Sequence, residues 1–192
     1  MKYTDLMIDL ETLGNEGQFL VTQVALVPFS LEEELDPEVL SINNLIVNFN
    51  PKELIKKGFE INTGTINWWI ENNIDTFIES IKGKTGLNEG CHLIKKFLEK
   101  DMYSGIERYW ASATLDYQGL SNLFKSQDMI NPFVYNKRNC CRTIRTLHQQ
   151  LFDSKYQNTN NHNPVEDCIQ QIKLLRQQWS DIQNLKKNED TI

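Results

Sequence analysis

The chain has 192 residues, 40% of them hydrophobic and 10% aromatic, which is enough apolar surface to bury a full core and too much for a disordered protein. Its formal charge of −6 excludes nucleic-acid binding through a general surplus of lysine and arginine, although divalent cations held by carboxylates would supply positive charge locally. No apolar run approaches bilayer length, and Cys91, Cys140, Cys141 and Cys168 include no Cys-x-x-Cys pair, so the expectation is a cytoplasmic chain with reduced thiols, no zinc site, no signal peptide and no membrane partner.

Residues 6–10 read as a buried strand that runs into Asp9-Leu10-Glu11. Side chains two apart on a strand share a face, so the two carboxylates project together. Such a pair is either a solvated strand end or part of a site for a hard divalent cation, Mg²⁺ or Mn²⁺. A loop with Gly14 and Gly17 leads to a second strand over residues 21–29, close enough for antiparallel pairing. The acids Glu32, Glu33, Glu34, Asp36 and Glu38 around Pro37 read as a solvated turn. A third strand is expected over residues 42–49, then a short helix over residues 66–70, capped by the polar run Asn62-Thr63-Gly64-Thr65. Its adjacent Trp68 and Trp69 cannot both face the core; the other is available to a base or to a partner, a second copy of the chain included.

Residues 88–100 carry Leu93, Ile94, Phe97 and Leu98 at helical spacing. Residues 107–112 suit a strand, parallel to an earlier one because a helix precedes it, and Thr114-Leu115-Asp116 ends it before a helix marked by Leu120, Leu123 and Phe124. Residues 132–135 read as a fifth strand and residues 139–152 as a helix, with Arg138, Arg142 and Arg145 on one face and Ile144, Leu147 and Leu151 on the other. That stripe is either a phosphate-binding surface or a solvated basic face. After a polar loop over residues 156–161, His162-Asn163-Pro164-Val165-Glu166-Asp167 opens a long amphipathic helix, with Asn163 as cap, Pro164 in the first position and Glu166 closing a capping box. Asp167 faces away from its apolar stripe. His92 and His148 sit on helices without acid or cysteine partners at ligand spacing and read as surface or half-buried. With no repeat or linker, residues 1–185 form one expected domain and residues 186–192 a polar tail.

The order Asp9-x-Glu11, Asp116, His162-x-x-x-x-Asp167 resembles the DEDDh 3′ to 5′ exonucleases, DnaQ-like members of the RNase H-like superfamily. Asp9-Leu10-Glu11-Thr12-Leu13-Gly14, Thr65-Ile66-Asn67-Trp68-Trp69, Arg142-Thr143-Ile144-Arg145-Thr146-Leu147 and His162 to Cys168 are similar to the DexA-type enzymes of T-even phages and their bacterial relatives. Leu115 stands where that family has Phe or Tyr, and Thr143 where it has an acid. The resemblance implies an α/β fold with a mixed five-stranded sheet flanked by helices on both faces. It further implies a two-metal exonuclease acting on the 3′ ends of single-stranded nucleic acid, DNA favoured and RNA the alternative, in the host cytoplasm if phage-encoded. Asp9, Glu11, Asp116 and Asp167 would bind Mg²⁺ or Mn²⁺, two ions per site, and His162 would act as general base. Thr12 and Leu13 would meet the terminal nucleotide, with Leu13 wedged against its base, and Arg142 and Arg145 would contact backbone phosphates. The competing expectation is a protein of this fold that binds nucleic acid without cutting it.

Overall fold

The computed structural model describes residues 3–33, 40, 42–153 and 162–189, with side chains in the last stretch to residue 185. The acids Glu34, Asp36 and Glu38, the polar loop over residues 156–161 and the end of the expected tail, residues 190–192, lie outside the described residues. Five strands, β1 (Asp5–Thr12), β2 (Val21–Phe29), β3 (Leu45–Asn48), β4 (Arg108–Ala111) and β5 (Arg138–Cys140), form one sheet in the order β3-β2-β1-β4-β5. The β1–β2 and β2–β3 pairs are antiparallel, whereas β4 and β5 extend the sheet parallel to β1. The described helices are α1 (Pro51–Lys56), α2 (Thr63–Asn72), α3 (Ile74–Ser80), α4 (Leu87–Leu98), α5 (Thr114–Lys125), α6 (Cys141–Phe152) and α7 (Pro164–Glu189). None of them is long and apolar enough to cross a membrane.

This is the mixed α/β sheet that the sequence implied, and both its faces are covered. Gly119 of α5 lies so close to Leu10 that a Cβ there would come within 2.7 Å of a Leu10 methyl. Gln171 of α7 instead reaches Asp9. Neighbouring residues on a strand point to opposite faces, so α5 and α7 flank the sheet on opposite sides. Leu6, Ile8, Val24 and Leu26 are accordingly fully buried.

The register leaves one end of β1 free. β4 stops at Ala111 opposite Ile8, so residues from Asp9 onward have a strand neighbour on the β2 side and none from β4. The opposite end is tied down by Asp5, which is fully buried. Its carboxylate accepts from Arg108 Nε at 2.6 Å and Nη2 at 2.9 Å, from Trp110 Nε1 at 2.8 Å and from the Leu31 N–H at 3.1 Å. Burial alone would raise the Asp5 pKa, but donors from Arg108, Thr4 and Trp110 outweigh it and hold the group below the usual carboxylate range.

The fifth strand is Arg138–Cys140 and not residues 132–135. Phe133 is instead a buried anchor against Tyr109 and Phe124, its N–H caught by Asn131, while Val134 and Tyr135 are exposed where a short 3-10 helix begins. Arg138 therefore lies on a strand, where its guanidinium donates to the Phe133 carbonyl and sits over the Tyr117 ring. It does not join Arg142 and Arg145 on α6, which begins only at Cys141. Nor is the opposite face of α6 a buried stripe, since Leu147 and Leu151 are exposed. The short helices α1 and α3 had no counterpart in the sequence reading.

Replacing Arg108 by Met leaves the Asp5 charge buried without its counter-ion, an arrangement that costs about 3 kcal/mol. Urea unfolding of Arg108→Met should show a loss of that order at pH 7, shrinking as pH falls from the unfolded carboxyl pKa of about 4 through the lower folded value, below which Asp5 is protonated in both states. A variant as stable as the parent at pH 7 would mean that the pair does not hold β1 to β4.

Candidate active site

Asp9 and Glu11 leave the free end of β1 on one face, and both are buried. Asp116 reaches the same place from the first turn of α5. Its Oδ1 accepts the Leu10 N–H at 3.2 Å, the ladder bond that β4 is too short to make, and its Oδ2 accepts the Ala113 N–H at 3.3 Å at the start of its own helix. Asp167 arrives from the first turn of α7. Asn163 caps that helix as expected, its Oδ1 accepting from Val165 N and Glu166 N. The acid that reaches back is Asp167, whose Oδ2 accepts the His162 N–H at 3.0 Å, whereas Glu166 is exposed. Thus two of the four acids are placed by the need of helix N-termini for acceptors.

His162 has a left-handed backbone, φ 57°, uncommon for a residue with a Cβ. Its ring stands edge-on to Trp68 and Trp69, with centroids 4.9 and 5.2 Å away, and its Nδ1 is 4.0 Å from Glu11 Oε2. Trp69 is buried, stacks on Phe77 and donates its indole N–H to the Thr12 carbonyl at 3.0 Å, which fastens α2 to the end of β1. Trp68 is 42% exposed. The pair therefore divides between core and cleft, and the exposed indole faces the histidine. Together Asp9, Glu11, Thr12, Trp68, His162 and Asp167 line a cleft of about 220 Å³.

The other expected site residues fall on both sides of this boundary. Thr12 lines the cleft, with its hydroxyl donating to the Gly14 carbonyl. Leu13 is 3% exposed and points inward, its backbone bonded to Leu20 and Asn62, so it does not project as a wedge. Arg142 is exposed on α6 and its charge acts on Asp116, while Arg145 is half-buried. His148 is buried rather than half-buried and pairs with Asp181 at 2.9 Å across α6 and α7, and His92 is exposed; neither lines the cleft. Gln171, absent from the sequence reading, donates to Asp9 Oδ1 at 2.9 Å. Its position one helical turn after Asp167 was the available signal.

Electrostatics single out the acids. Burial, then the charges of Asp116, Glu11 and Asp167, push the Asp9 carboxyl well above its usual range, with only Gln171 opposing. Burial and the charges of Asp167 and Asp116 raise Glu11 to about 9. Burial raises Asp116 to about 6, held there by the N–H groups of Ala113 and Leu10 and the charge of Arg142. His162 is lowered by burial against the pull of Asp167 and is therefore neutral at pH 7. Among the described residues, no salt bridge joins Asp9, Glu11 or Asp116 to a lysine or arginine. Ligand atoms of Glu11, His162 and Asp167 lie within 4.8 Å of one another. Crowded, buried carboxylate oxygens are the donor set that a hard divalent ion satisfies.

A sequence profile described as the 3′-5′ exoribonuclease Rv2179c-like domain matches residues 4–179. No curated protein matches the chain by sequence. Among solved structures, the chain is similar to cell-death related nuclease 4 (CRN-4), with 13% identity and a TM-score of 0.66 over 93% of this chain and 64% of that one. The chain thus spans less than two thirds of CRN-4. It is similar also to the nuclease domain of 3′hExo, a DEDDh family member bound to rAMP, with 10% identity and a TM-score of 0.59 over 93% of each chain. The Mg²⁺ and Mn²⁺ bound form of S. pombe Pop2p gives 11% identity and a TM-score of 0.57 over 91% of this chain and 82% of that one. At such identities the likeness concerns the fold.

Because Asp9, Glu11 and Asp116 have higher pKa values folded than unfolded, the folded chain holds more protons above pH 4 and loses stability as pH rises. In the presence of a chelator, the melting temperature should fall continuously between about pH 5 and pH 9. Asp9→Asn removes one of the crowded charges and should raise the melting temperature at pH 8 and flatten the slope. A parent whose melting temperature climbs over that interval would contradict a buried acid cluster.

Proposed function

The chain belongs to the family of Rv2179c-like 3′-5′ exoribonuclease domains, and from that premise we propose that it is a divalent-metal-dependent exonuclease removing nucleotides from the 3′ end of single-stranded nucleic acid. The observation that carries this reading is the convergence of Asp9, Glu11, Asp116, Asp167 and His162 from three separate segments on one end of β1. A non-cutting relative has no chemical reason to bury four mutually repelling acids. The motifs around Asp9, Trp68, Arg142 and His162 support a place near the DexA-type enzymes within the DEDDh group.

Asp9, Glu11, Asp116 and Asp167 would hold two Mg²⁺ or Mn²⁺ ions, which when bound supply charge against the phosphate and leaving oxygen and a more acidic water. His162 takes the proton of the attacking water on its imidazole. Burial keeps that ring neutral, so it is ready to accept at pH 7, and the charge of Asp167 favours the imidazolium that results. Trp68 and Trp69 hold the ring plane from one side. Thr12 faces the terminal nucleotide; Leu13 would join it only by turning out of the core. Arg142, beside Asp116, takes a backbone phosphate, with Arg145 behind it. The family description speaks for RNA, which we place beside DNA as a substrate. A homodimer built on Trp68 would cover the cleft, so we assign that indole to the substrate side. The free cysteines suit a reducing cytoplasm.

His162→Ala should bind Mn²⁺ and single strands as the parent does yet cleave about 10² to 10⁴ times more slowly, the usual contribution of a general base. Single-turnover rates on end-labelled DNA and RNA of matched sequence decide this; a mutant with near-parent turnover shows that another group takes the proton. Arg142→Ala and Arg145→Ala should weaken binding to every sequence and reduce the dependence of affinity on salt, each by roughly one phosphate contact. Binding titrations over a range of KCl measure that slope, and a slope identical to the parent's in both variants would assign these arginines to the fold.

A further inference from the structure

One buried polar group at the acid cluster has no place in the scheme above. Gln171 follows Asp167 by one helical turn, so α7 directs both side chains from the same face. The amide is 9% exposed, and its Nε2 donates to Asp9 Oδ1 at 2.9 Å. Its Oε1 is buried and has no partner among the described residues. A buried amide that satisfies only one of its ends loses hydrogen bonding on folding, so packing alone favours an apolar residue of the same size here. Turning the amide over would set its oxygen against the Asp9 carboxylate, acceptor against acceptor.

The choice of a neutral donor is informative. A lysine or arginine in this position would pair with Asp9 and compete with a metal ion for its charge. An apolar side chain would leave the carboxylate to rotate among its neighbours. An amide N–H fixes one oxygen while leaving the full negative charge on the group. We propose that Gln171 is a positioning residue for metal binding, pinning Oδ1 of Asp9 so that the carboxylate meets a divalent cation in one orientation. This rests on the reading of the acid cluster as a metal site.

The test is calorimetric titration with Mn²⁺ alone, without substrate, on the parent, Gln171→Met, Gln171→Asn and Gln171→Lys, with melting temperatures taken in chelator. Met removes the donor while keeping the volume, and Asn keeps an amide one methylene too short to reach. Both should bind Mn²⁺ about 10 to 100 times more weakly than the parent, as loss of a partner that orients a metal ligand does. Their metal-free melting temperatures should equal or exceed the parent's, because the orphaned oxygen is gone or freed. Gln171→Lys should bind more weakly still. Parent-like Mn²⁺ affinity in Met or Asn overturns the proposal, as does an affinity loss accompanied in both by a lower metal-free melting temperature, which marks a structural role. A parent that binds no Mn²⁺ fails at an earlier point, since it removes the metal site and this inference with it.

Discussion

The organising constraint in this protein is like-charge repulsion among four buried carboxylates at one end of the central strand. Burying such a cluster costs less where hydrogen-bond donors replace bulk water. The fold supplies them by termination. β4 ends early, which exposes the Leu10 N–H to Asp116, and two helices begin there, which turns further N–H groups toward Asp116 and Asp167. Asp9 lacks such a backbone partner and takes a side-chain amide. These dipolar donors serve Asp9, Asp116 and Asp167, and the charge of Arg142 acts on Asp116 as well. The donors hold Asp9, Asp116 and Asp167 in place without removing their charge, which suits the cluster to a hard divalent cation.

β1 carries its own control for this argument. Asp5 and Asp9 lie four residues apart on one strand, on the same face, and both are buried. Asp5 is surrounded by a guanidinium, an indole N–H and a backbone N–H, and its pKa goes down. Asp9 is surrounded by acids, and its pKa goes up. Burial therefore does not distinguish these two carboxylates; the sign of the surrounding charge does. The aromatic wall follows a similar division, since Trp69 spends its N–H on the Thr12 carbonyl and becomes part of the frame, while Trp68 keeps an open face.

What could be read from the sequence was what local pattern controls. β1 and β2 are continuous apolar runs, and the last helix announces itself through its cap and its spacing; with them came Asp9, Glu11, His162 and Asp167 as neighbours in motifs. What could not be read depends on partners distant along the chain. Residues 132–135 look like a strand because Phe133 and Val134 are apolar, but Phe133 is claimed by Tyr109 and Phe124, and the strand passes to Arg138–Cys140, where no residue is strongly apolar and pairing with β4 decides. The basic stripe lost Arg138 for the same reason. His148 had no acid at ligand spacing, yet Asp181 meets it from a different helix. Leu13 seemed free to act as a wedge until its backbone was seen bound to Leu20 and Asn62.

The order of the segments has a kinetic consequence. The sheet is complete in sequence once Cys140 has left the ribosome, but the last helix, which brings Asp167 and Gln171 to Asp9 across 158 and 162 residues, is still to come. Contacts of such separation close late, because loop-closure entropy must be met before they form. The acid cluster is thus assembled only when that helix docks, and its buried Cys168, Ile172 and Leu175 complete the core in the same step.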